Sequence, residues 1–122
     1  MEMKYVRIQG RELSWVTKQP KGIFGMCWRM VMDGVVSEAD AAVFRAVDAW
    51  FVANLPEPPM CKTGDQKVIT YFKTETAGEM LPHLEPAIAL LEKYRHPYDV
   101  VYTNFVGEIV YEDRWQIAVR CE

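Results

Sequence analysis

The chain has 122 residues, half of them hydrophobic, and a formal net charge of −3. That size suits one domain whose core needs no covalent staples, and the acidic balance argues against a general nucleic-acid binder. No apolar run reaches the ~18 residues of a membrane span, and the start, MEMKYVRIQG, lacks a secretory apolar stretch. The expectation is therefore a cytoplasmic protein with no membrane partner.

The first predicted element is a hairpin. KYVRIQ and ELSWVTK alternate on either side of Gly10-Arg11, and a leading glycine suits a two-residue turn. That register would pair Ile8 with Leu13 and Val6 with Trp15. KQPKG then reads as a turn. IFGMCWRMVMDG follows as a short helix, apolar nearly all round, with Met26, Met30 and Met32 as core filler and Gly34 just past its end.

Ser37 is placed to cap a second helix, with Glu38 and Asp40 in its first turn, where negative charge complements the dipole. Its apolar positions are Val43, Val47, Trp50 and Phe51, and Pro56 stops it. PEPPMCKTGDQ, with three prolines in four positions, excludes helix and central strand. It is read as a Pro-rich connector, the lid over a site being its functional alternative.

KVITYFK is a predicted strand. The helix after it carries Leu81, Leu84, Ile88 and Leu91 on one face, and HPYDVVYT supplies the next strand. Lys67–Lys73 and Tyr98–Thr103 would run parallel if they share a sheet, as a crossover unit does. NFVGE is a turn, and IVYEDRWQIAV is one long strand or two bent at Glu112-Asp113. The order ββααβαββ predicts a single α+β domain over residues 1–122. Its mixed sheet of about five strands packs on about three helices.

Chemistry is sparse. Cys27, Cys61 and Cys121 show no CxxC or Cys/His spacing, so they read as free thiols with neither disulfide framework nor metal site. Only His83 and His96, and only Ser14 and Ser37, are available for base or nucleophile roles. No GxSxG, HExxH, P-loop or GxGxxG appears. No catalytic residue, metal or cofactor is assigned. The strand–helix junction is the candidate ligand site, with Lys73, Thr74, Glu75, Thr76, Glu79 and Tyr111 as contacts, because free amides at a helix start hold anions. Its structural counterpart is a capping box, Thr76 to Glu79. Glu75, Glu79, Glu112 and Asp113 would matter as a set only if the fold gathers them.

Charge is uneven. Residues 1–29 hold six basic against two acidic residues, and residues 33–57 hold five acidic against one basic. Two solvated faces are the simplest reading; pairing with each other or with a partner is the alternative.

YFKTETAGEML, LLEKY, PYDVVYT and GEIVYEDRWQIAV, with GIF, SEAD and NLPEPP upstream, resemble a group of small uncharacterised bacterial or phage-borne proteins. The resemblance covers most of the chain and implies a compact domain with no known activity. It departs at Arg95-His96, where a glycine is expected before the turn into the next strand.

The function expected from this reading is a non-enzymatic binding or regulatory protein acting through protein–protein contacts, in one form an inhibitor of the immunity or anti-defence type. The alternatives are a small-molecule or anion-binding protein, or small enzyme, using residues 73–79, and self-association through the last strand.

Overall fold

The computed structural model describes residues 3–14, 18–55 and 68–121. The expected loop Pro56–Gln66, its Cys61, the stop at Pro56 and the pairing of Trp15 lie outside these residues. Six strands and three helices follow in the order β1 (Tyr5–Leu13), β2 (Pro20–Gly22), α1 (Ile23–Met32), α2 (Glu38–Asn54), β3 (Val68–Lys73), α3 (Thr74–Lys93), β4 (Tyr98–Thr103), β5 (Ile109–Glu112) and β6 (Gln116–Arg120). The α+β single-domain expectation holds. Its sheet is not mixed, however: every pairing among the described strands is antiparallel.

β1 also corrects the hairpin. It runs unbroken through Gly10 and pairs over six consecutive positions with β4, from Tyr5 opposite Thr103 to Gly10 opposite Tyr98. Gly10 is needed for space rather than for a turn, because a Cβ there would lie 2.6 Å from the Met26 sulfur. The KQPKG segment contributes a short strand rather than a turn alone, with Pro20–Gly22 lying along β1.

The sheet has a fork. One edge of β1 carries β4, while the other is divided between β3 at its start (Tyr5 to Lys73, Val6 to Phe72) and β2 further on (Gln9 to Gly22, Leu13 to Pro20). Beyond β3 come β6 and then β5. Arg7 fills the fork. Its side chain donates to the Thr70 carbonyl of β3 at 3.2 Å, the Pro20 carbonyl of β2 at 2.8 Å and the Gln9 side chain at 2.9 Å. The guanidinium thus serves carbonyls where the two partner strands diverge. It is buried, and that burial pulls its pKa below the usual arginine range, with Tyr71 and Cys121 opposing the shift.

β3 and β4 run in the same direction, as the crossover reading implies. They are not neighbours, because β1 lies between them and α3 makes the connection. The helices cover the sheet face that carries Ile8 and Phe72. Met26, Cys27 and Met30 of α1, Phe44, Val47 and Phe51 of α2, and Met80, Leu84, Ala87 and Leu91 of α3 form this core with them. Truncating fully buried Leu84 or Leu91 to alanine would cost about 2–5 kcal/mol. Met32 departs from the expected sulfur stripe and is exposed. On α2 the buried stripe is Ala41, Phe44, Val47 and Phe51, with Val43 turned outward.

The helix ends follow local rules. Ser37 caps α2 by accepting the Asp40 amide at 3.1 Å, as its sequence signals. After α1, Gly34 takes φ +69° while its amide reaches the Val31 carbonyl and the Val35 amide reaches Met30. These are the two bonds of a Schellman ending. Arg95 repeats that arrangement after α3 with φ +59°, its amide bonding Glu92 and the His96 amide bonding Leu91. The expected glycine position is thus real, and arginine occupies it against its own preference.

α3 is continuous through Pro82 and Pro86. Both prolines are exposed, as is Gly78. The carbonyls of Gly78 and Pro82, deprived of amide donors four residues on, therefore lie on the solvent side of the helix.

Candidate functional site

At the junction of β3 and α3 the chain passes from Lys73 directly into the helix, without the capping box expected of Thr76 and Glu79. The helix starts at Thr74, so Thr76 is already inside the first turn. The Thr74 amide bonds the Lys4 carbonyl at 2.9 Å, and its hydroxyl donates to the Met3 carbonyl at 2.6 Å. The buried Thr76 hydroxyl donates to Arg114 at 3.1 Å. Lys73, largely covered, pairs its ammonium with Glu112 and sends its amide to the Trp115 carbonyl. Glu79 lies 3.7 Å from the Arg114 guanidinium, whereas Glu75 is an exposed first-turn acid.

Tyr111 donates to Asp113 at 2.6 Å, and this bond, chiefly, pushes the phenol pKa up to about 12. Asp113 also accepts the amides of Trp115 and Gln116, at 2.7 and 2.9 Å, and so closes the tight link between β5 and β6. The bend at Glu112-Asp113 is this link, and the tail is two strands. Three of the four carboxylates consequently serve different partners, Glu112 a lysine, Glu79 an arginine and Asp113 a turn, while Glu75 is exposed. Among the described residues no group of three or more His, Cys, Asp or Glu could hold a metal ion.

The functional groups expected to meet a ligand at 73–79 thus stitch three parts of the fold together: the start of β1, the β5–β6 hairpin and the first turn of α3. A ligand there would have to displace protein–protein hydrogen bonds. His83 likewise has a structural partner. It stacks on Trp50 with ring centroids 3.6 Å apart and planes within 11°, joining α3 to α2. Cys27 is buried, which pushes its thiol up to about 12, far from a thiolate at neutral pH.

A cleft of about 500 Å³ opens between β1, the end of α1 and the end of α3. Met26, Met30, Val35, Tyr94 and Pro97 are among its apolar lining residues, Arg11, Glu12, Lys21, Arg29 and Asp33 among its charged ones, and His96 lies beside Pro97. Lys21 pairs with Glu12 at 3.1 Å, Arg29 with Asp33 at 3.1 Å and Arg11 with Asp99 at 3.4 Å. Its basic side chains therefore already have counter-charges. Of the two charge-rich segments, Arg29–Asp33 is the one ion pair that joins them among the described residues.

The outer edge of β4 is different. Among the described strands β4 pairs with β1 alone, and Val100 and Tyr102 on it are 45 % and 55 % exposed. Phe105, just beyond its end, is 92 % exposed. Their registers with Ile8 and Val6 put Val100 and Tyr102 on the helix-covered face, but past the reach of the helices. The strand carries no proline, no lysine and no bulge, the usual devices that protect an edge. Sequence reading located this strand and gave it no role, because edge position depends on sheet order. The last strand, expected to be the edge, is flanked on both sides: β6 lies between β3 and β5, with Gln116 through Val119 buried.

No protein-family model, curated protein or solved structure matches the chain.

Proposed function

We propose that the chain is a non-enzymatic binding protein that acts by protein–protein contact along the outer edge of β4. The observation that carries this reading is Val100 and Tyr102, exposed on a six-residue strand that pairs on one side alone among the described strands, followed by exposed Phe105. Apolar surface costs free energy in water at ~25 cal/mol per Å², and a free strand edge offers main-chain donors and acceptors to an extended segment. The engagement of Lys73, Thr74, Thr76, Glu79 and Tyr111 in internal bonds supports binding over chemistry at the junction. An inhibitor of the immunity or anti-defence type fits as a protein that caps a strand of a larger one.

Selection of a displayed random-peptide library on the immobilised protein tests the reading. Peptides with apolar residues at alternate positions are expected to be enriched. That enrichment should vanish with Val100→Lys and Tyr102→Lys and persist with Ile109→Lys. No enrichment, or enrichment that ignores the β4 substitutions, would sink it.

A further inference from the structure

We propose that a second copy of the chain pairs on this edge, β4 against β4, about a two-fold axis through Val101. The inference rests on the reading of the β4 edge as the contact surface and names one occupant for it. Two copies of one edge can meet antiparallel only with both helix layers on the same side of the joined sheet. Cross-strand neighbours must therefore come from the same face. Two such registers, centred on Val100 and on Val101, pair five of the six strand residues and a third, centred on Tyr102, pairs three; side-chain chemistry chooses between them.

Centred on Val101, the register sets Val100 against Tyr102 of the second copy and Tyr102 against its Val100. The exposed apolar residues of each copy then cover those of the other. On the opposite face Val101 meets Val101, and Asp99, the strand's one charged residue, meets Thr103, whose hydroxyl donates to the Phe105 carbonyl and accepts the Phe105 amide. Phe105 reaches the level of exposed Pro97 of the second copy. A shift of two residues one way places Asp99 against Val101, and the other way against Phe105; both set a carboxylate opposite an apolar group. No like charges oppose each other in the favoured register. The Arg11–Asp99 pair within each copy lies on the face away from the helices and can stay formed. A strand junction is small beside the ~1,200–2,000 Å² of a standard interface, so the dimer should dissociate on dilution.

Sedimentation velocity over a wide concentration range gives the first readout. The mass should rise from 14.1 kDa toward twice that value for the wild type, and stay at 14.1 kDa for Tyr102→Lys with an unchanged circular-dichroism melt. Oxidative cross-linking reads the register. In a Cys61→Ala, Cys121→Ala background, Val101→Cys should form a disulfide-linked dimer. Thr103→Cys should not, because four residues of offset separate its copies by ~13 Å, beyond the ~7 Å limit for bridging. A wild type that stays monomeric throughout, a mass increase indifferent to Tyr102→Lys, or cross-linking at Thr103 and not at Val101 would each overturn the proposal. Should the wild type stay monomeric while peptide selection still depends on Tyr102, the second copy fails as occupant and the binding reading stands.

Discussion

Among the described strands β2, β4 and β5 each pair on one side only, and the two longer ones, β4 and β5, differ in how they are protected. β5 is four residues long, its register with β6 slips between Ile109 and Tyr111, and Glu108 and Glu112 flank it with ion pairs to Arg120 and Lys73. β4 is six residues long, pairs with β1 without a slip, and leads from Val100 and Tyr102 to an exposed phenylalanine. Irregularity and charge are how edges avoid unwanted partners. β5 is short, slipped and acidic, whereas the longer, regular β4 has Asp99 as its one charge, held by Arg11 on the face away from the helices, and this contrast is why the proposed binding role falls on β4.

The largest test of this contrast removes what holds β1, the strand on which β4 depends. Arg7→Met deletes three hydrogen bonds and leaves the Thr70 and Pro20 carbonyls without their donor. A loss of about 3 kcal/mol or more is expected in a urea titration. Native-state hydrogen exchange should show β4 losing protection before β6, whose pairing to β3 and β5 does not pass through Arg7. Equal loss in both strands would remove the idea that the edges have separate supports.

Gly10→Ala acts on the same strand by volume, since the new methyl would overlap Met26. Destabilisation of about 1–3 kcal/mol is expected, and the double substitution Gly10→Ala, Met26→Ala should recover less than it loses elsewhere in the core unless the overlap is the cause. A turn-forming glycine would tolerate that methyl differently, so this measurement also separates the two readings of Gly10.

Arg95→Gly should stabilise by about 0.5–1 kcal/mol, because glycine adopts the φ +59° that arginine resists just before β4. An unchanged or lowered Tm would mean that Arg95 contributes something there beyond its backbone shape.

Smaller still is the clasp between the start of α2 and the end of α3. The Lys93 ammonium and the Tyr94 hydroxyl both donate to Asp40, and these bonds hold its carboxyl below the usual 3.8. A depressed carboxyl contributes stability that is present above its unfolded pKa and lost as pH falls through the folded value. Asp40→Asn should therefore lower Tm slightly at pH 7, and the gap to wild type should close below pH ~3.8. A gap that widened in acid would invert the assignment. Least of all should be the stability effect of Tyr102→Lys or Ile109→Lys, each within about 0.5 kcal/mol by chemical denaturation. Their difference should appear in association alone.

What the sequence made legible was local. The Ser37 cap, the Gly34 ending, the α3 stripe through Leu84 and Leu91 and the strands around Tyr71 and Val101 all rest on spacing and capping chemistry within a few residues. What escaped it was tertiary. Gly10 looks like a turn until Met26, sixteen positions on, is seen to need its space. Thr76 and Glu79 fit a capping box until the Arg114 carbonyl and guanidinium claim them. Residues 73–79 share one strand end and helix start. What the spacing could not reveal is that β1 and the β5–β6 hairpin occupy their hydrogen-bonding groups. Edge status is the same kind of fact, fixed by which strand β1 accepts on each side.

The insertion of β1 between β3 and β4 makes completion of the sheet a long-range event. Its final neighbour spans Tyr98–Thr103, and the Lys4 amide binds Asn104 across one hundred positions. An early-made strand must therefore wait for nearly the last element, while α3 can bring β3 and β4 into place only with a gap left open. Such long-range closure is slow compared with helix packing, and until β1 arrives two strands expose unsatisfied inner edges. In any route that places β3 and β4 first, that interval is open to misassociation, and its length is set by how quickly the first strand finds the slot.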